Sequence, residues 1–63
     1  MEPWREWAIT SGTQPRTICR RFGGTFDNAL IEAFVHADVV NMEKILDTWP
    51  EIFKRLYKIN QGG

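Results

Sequence analysis

Apolar side chains recur along residues 25–59 with a helical period, interrupted at Asp38 and at Thr48-Trp49-Pro50. Phe26, Ala29, Leu30, Ala33, Phe34 and Ala37 are spaced i, i+3, i+4, i+7, i+8 and i+11, which sets them on one stripe of a helix. Met42, Ile45, Leu46 and Trp49 repeat the spacing, and Ile52, Phe53 and Leu56 carry a third run. The pattern predicts helices over 26–37, 39–48 and 50–59. Residues at the breaks agree with it. Thr25 can cap the first helix, and Asp27 in its first turn suits the helix dipole. Asp38 stands where the second helix needs a cap. Pro50 lacks an N–H and disfavours a helical residue before it, so it ends one helix and opens another, capped by Thr48 or Trp49. Glu51 then lies in the first turn of the third helix, with Lys54, Arg55 and Lys58 toward its end.

Residues 1–24 are less regular. Pro3 suits a first helical turn, and Trp4 and Trp7 lie one turn apart, so a short helix over 3–9 ending at Ser11-Gly12 fits. A second could start at Thr13-Gln14-Pro15, bury Ile18, Cys19 and Phe22, and stop at Gly23-Gly24. The alternative is a hairpin pairing residues 7–10 with 16–19, since both flanks hold β-branched residues. The expected fold is a single mainly α domain over 1–63. A three-helix core spans 25–59, a helical or hairpin segment packs across it, and residues 60–63 form a frayed tail. The expected core is Phe26, Leu30, Ala33, Phe34, Met42, Ile45, Leu46, Trp49, Phe53 and Leu56.

Length makes that core matter. A chain of 63 residues buries only about 60% of the surface its unfolded form exposes, and a lone cysteine, Cys19, allows no internal disulfide. Four Phe, three Trp and one Tyr supply the apolar area instead. No stretch approaches the roughly 20 apolar residues of a membrane span. The start Met1-Glu2-Pro3-Trp4-Arg5-Glu6 lacks the basic and apolar runs of a signal peptide. With a single thiol, a cytoplasmic location is expected.

Net charge is zero, but the charges are segregated. Arg5, Arg16, Arg20 and Arg21 outweigh Glu2 and Glu6 over residues 1–24. Asp27, Glu32, Asp38, Glu43 and Asp47 face only Lys44 over 25–47. Lys54, Arg55 and Lys58 outweigh Glu51 over 48–63. Ion pairing between segments on a solvated surface accounts for such a pattern.

Catalytic chemistry finds little support. His36 and Glu32 share a helical face at i, i+4, which would suit a metal pair or an oriented base, but no third ligand stands at a matching spacing. The glycine pairs follow no clear strand and carry no phosphate-loop lysine. Cys19 reads as a small core residue. No enzyme activity, metal or cofactor is expected. Nucleic-acid binding could draw on Arg16, Arg20 and Arg21, or on Lys54, Arg55 and Lys58. The second helix, however, would present Asp38, Glu43 and Asp47 to a polyanion, which is the wrong sign. Protein-partner binding is the leading expectation. Trp4 and Trp7 are candidate contact residues, and Glu32, Glu43 and Asp47 form an acidic face for a basic partner. A homo-oligomer held by its aromatics is a further alternative.

The stretch Ala33-Phe34, Ala37-Asp38, Asn41, Lys44-Ile45 and Trp49-Pro50-Glu51-Ile52 resembles a pattern in short uncharacterised helical proteins of bacteriophages and prophages. The match covers residues 34–57 and departs from it in placing Trp49 where Phe is more usual. The resemblance implies a helical pair followed by a third helix and a phage or mobile-element origin. It carries no chemistry onto particular residues.

Overall fold

A computed structural model describes residues 2–62. They form five helices: α1 Pro3–Thr10, α2 Gln14–Phe22, α3 Thr25–Val35, α4 Val39–Thr48 and α5 Pro50–Asn60. Among the described residues there is no strand. The hairpin alternative for residues 7–19 is therefore replaced by two helices, each with a proline in its first turn at Pro3 and Pro15. Proline's fixed φ favours helix initiation there, and its missing N–H removes nothing, because first-turn N–H groups have no intrahelical acceptor.

The breaks follow local chemistry. After α1, the Ser11 N–H donates to the Trp7 carbonyl at 3.0 Å, and Gly12 turns the chain at φ 64°. Asp38 caps α4 as expected, accepting from the Asn41 N–H at 2.8 Å. Thr25 does not cap α3. Gly24 takes the cap position and Thr25 is the first helical residue. Asn28 secures this turn instead, its amide donating back to the Gly23 carbonyl at 3.2 Å and the Gly24 carbonyl at 2.8 Å. α3 also stops at Val35, two residues before the expected end, because the approach to the Asp38 cap tightens at His36-Ala37. At the other end of the chain, the expected tail is shorter. Asn60 closes α5, Gln61 donates its amide to the Tyr57 hydroxyl at 2.9 Å, and Gly63 lies outside the described residues.

α5 is the hub, packing against α1, α2 and α4, while α3 bridges α2 and α4. The core is Trp4, Ala8, Cys19, Ile31, Phe34, Leu46, Ile52, Phe53 and Leu56, with Pro15 fully enclosed beside it. The Phe34 and Phe53 rings meet at its centre with centroids 4.8 Å apart. Phe34, Leu46, Phe53 and Leu56 are buried as expected, while Leu30, Met42, Ile45 and Trp49 are half-buried against them. Phe26 and Ala33 are exposed, which corrects the expected core. The core is also not confined to three helices, because α1 contributes Trp4 and Ala8 and α2 contributes Cys19. The radius of gyration of 10.4 Å matches the roughly 10.6 Å expected for a folded chain of this length.

Candidate functional site

Three arginines on the basic flanks reach three carboxylates of the acidic middle. Arg16 on α2 holds Glu32 on α3 bidentately, with its Nε donating to Oε2 at 2.6 Å and its Nη2 to Oε1. Arg5 on α1 donates to Asp47 on α4, and Arg55 on α5 donates to Asp27 on α3. Two of the pairs tie together helices that are not consecutive, and the third joins the neighbours α2 and α3, so the segregated charges meet across the fold. The fork of Arg16 holds the Glu32 carboxyl below the usual carboxylate range. Partial burial opposes this shift, and the charges of Arg16, Arg20 and His36 reinforce it. Burial pushes the Cys19 thiol up; the Asp27 charge adds to that and Arg55 opposes it.

These pairs change what the predicted site residues can offer. Of the acidic face, Glu32 and Asp47 are engaged with arginines, and Asp38 is engaged as a cap. Glu43 is exposed and without an ion-pair partner among the described residues. Of the basic clusters, Arg16 and Arg55 are paired, while Arg20, Arg21 and Lys58 are exposed and unpaired among the described residues. The Lys54 ammonium lies 5.5 Å from the Trp4 ring centroid, with the Arg5 guanidinium 5.3 Å from the same ring. His36 sits 3.7 Å from Glu32 and is largely open to solvent.

Trp4, a candidate contact residue in the sequence, lies in the core. It is only 8% exposed, because α1 lays it across α5 as a clasp for the small core. Its neighbour one turn on, Trp7, is half-buried against Tyr57 at 5.6 Å between centroids and donates to Gln14 at 3.2 Å. Neither tryptophan offers an open face of the size an interface anchor uses.

The exposed large apolar side chains lie elsewhere, at Phe22, Phe26, Val39 and Val40, each between 57% and 63% exposed. On α3, the buried face is set by Ile31 and Phe34, so the stripe from Phe26 through Ala29 to Ala33 is turned outward. Phe26 meets the edge of Trp49 at 5.8 Å, closing one end of the α3–α4 pair. Val39 and Val40 stand at the other end, where α4 begins. Two signals in the sequence point this way. Residues 29–35 are apolar at every position except Glu32, so the period alone leaves the inward face undecided. Val40 precedes Met42 by two positions, about 200° around the helix, and so falls opposite the stripe of Met42, Ile45, Leu46 and Trp49.

Among the described residues no three metal-ligating side chains come together, and no pocket forms. No described helix is long and apolar enough to cross a membrane. No protein-family model, curated protein or solved structure matches this chain.

Proposed function

We propose that this chain is a non-catalytic protein-interaction module whose working surface is the outward face of the α3–α4 pair. The observation that carries this reading is the exposure of Phe26, 57% open at the head of an apolar stripe that a small core had reason to bury. Ala29 and Ala33 extend that stripe with small side chains that let a partner approach closely, and Val39 and Val40 stand at the start of α4. Glu43, unpaired among the described residues, and the still largely exposed Asp47 give the rim an acidic character. The partner that fits is an amphipathic protein segment with apolar anchors and a basic margin. The resemblance of residues 34–57 to helical phage proteins supports the further reading of an accessory or regulatory factor. Such a factor would act in the cytoplasm by occupying a partner's surface.

Capture from the source cell with Phe26→Asp/Val40→Asp beside the parent chain tests the reading. Both positions lie in the first turn of a helix, where an added carboxylate suits the dipole, so the variant folds. A specific partner held by the parent and released by the double variant is expected. A partner retained equally by both sinks the assignment of this surface. Light scattering over a concentration series covers the remaining occupant, a second copy of the chain, which would show as a dimer that the same double variant dissociates.

A further inference from the structure

We propose that the exposed C-terminal turn of α2 is a docking surface for single-stranded nucleic acid, in which Arg20 and Arg21 meet phosphates and Phe22 offers a ring to an unstacked base. α2 runs Gln-Pro-Arg-Thr-Ile-Cys-Arg-Arg-Phe, with three arginines and no carboxylate. Arg16 is turned toward α3 and taken up by the two oxygens of Glu32. That bidentate bond also occupies the nearest carboxylate of the adjoining helix, which would otherwise compete with a phosphate. Arg20 and Arg21 are left exposed, with no carboxylate partner among the described residues. Thr17, also exposed, precedes them by three and four residues, so its hydroxyl shares their face. His36 on α3 is open to solvent and lies 3.7 Å from the same Glu32 carboxylate.

Charge alone would suit any polyanion, and Phe22 narrows the choice. Its ring is 58% exposed at the last residue of α2, and the Arg21 guanidinium carbon lies 5.5 Å from its centroid. Arg21 thus covers one face of the ring and leaves the other for a base, and sequence-tolerant single-strand binders hold phosphates by charge and bases by stacking on such rings. A duplex keeps its bases inside the stack and leaves Phe22 without an occupant. An acidic protein segment offers carboxylates to the arginines and no π face to the ring. This surface is separate from the outward face of α3–α4, and its failure would leave that reading standing.

The test is fluorescence anisotropy of the full chain with a labelled oligothymidylate of about 12 nucleotides, within the site size of small single-strand binders. Saturable binding at low salt is expected, weakening with salt by about 0.7 in log K per log salt for each phosphate contacted. Phe22→Ala weakens it about tenfold, the scale of one lost base stack, and leaves the salt slope unchanged. Arg20→Gln/Arg21→Gln weakens it and lowers the slope by about 1.4, two phosphate contacts at that increment. Lys44→Gln on α4 is the charge control and leaves affinity within about twofold, since screening removes distant charges. All four positions are exposed, so helicity by circular dichroism should match the parent in every variant. Absence of saturable binding at low salt overturns the proposal. So does equal affinity for a duplex, displacement by an oligoglutamate peptide as readily as by unlabelled oligonucleotide, or full affinity in Phe22→Ala.

Discussion

Gly23 shows how much a single position can decide in so small a molecule. A Cβ added there would lie 2.6 Å from the Cys19 Sγ and 2.9 Å from the Cys19 carbonyl oxygen, whereas one added at Gly24 meets nothing within 4 Å. Gly23→Ala should therefore destabilise by about 1–3 kcal/mol, the range of an overpacked core, while Gly24→Ala stays near the parent. Thermal denaturation of the two variants side by side checks this, and equal midpoints would refute the close approach. Among the described residues Asp38 is the one N-cap with a side-chain bond, so Asp38→Ala should cost about 1 kcal/mol by the same measurement. Thr25→Ala should cost far less, because Thr25 lies inside α3 and not at its cap. The role of Asp38 was legible in the sequence, since an isolated carboxylate between two apolar periods has few other uses. That of Thr25 was not, because a glycine before it can occupy the cap position equally well, and Asn28 secures the turn from within the helix.

Among the elements, α3 departs furthest from its pattern. Its period is clear, but with apolar residues on most sides the period could not say which stripe faces α5 and α2. The packing of Ile31 and Phe34 decides it and leaves Phe26 outside. α4 has identical bounds in pattern and structure because Asp38 and Pro50 fence it chemically. The ion pairs between elements were legible as segregated charge, yet which arginine meets which carboxylate follows from the tertiary arrangement alone. The pair of α2 with α3 carries a pH signature. Glu32 is held below its ordinary range in the folded chain, so it binds a proton less readily there than when unfolded. Its contribution is complete above the ordinary glutamate value of about 4.3 and is lost as pH falls through the lowered folded value. Urea unfolding at neutral and acid pH should show a loss of stability toward acid that is smaller in Arg16→Gln than in the parent. An unchanged acid slope in that variant would contradict the pairing.

For the whole molecule, the inner faces of α1 and α2 are part of the core. α1 clasps α5 through Trp4 and Ala8, and α2 buries Cys19, so residues 1–24 complete a core that α3–α5 leave open. The aromatic count suggested enough material for such a core, but not that Trp4 belonged to it, because a tryptophan near the start of a chain reads equally as clasp or contact. Trp4→Ala should cost about 3–5 kcal/mol, a large share of the roughly 3–9 kcal/mol available to a chain of this length, and denaturant unfolding will show it. Cys19 is fully buried with its thiol pushed up, so a thiol reagent at neutral pH should label it only as fast as the fold opens. With Trp4 and Ala8 of α1 and Cys19 of α2 taken up by the core, the outward face of α3–α4 is the proposed working surface for a protein partner. The most direct measurement places a photo-crosslinking side chain at position 26, and separately at position 60 on the far end of α5, in the source cell. A partner seated on the outward face of α3–α4 gives a discrete protein adduct from position 26 and none from position 60. Adducts of equal yield from both, or none from position 26, would contradict it.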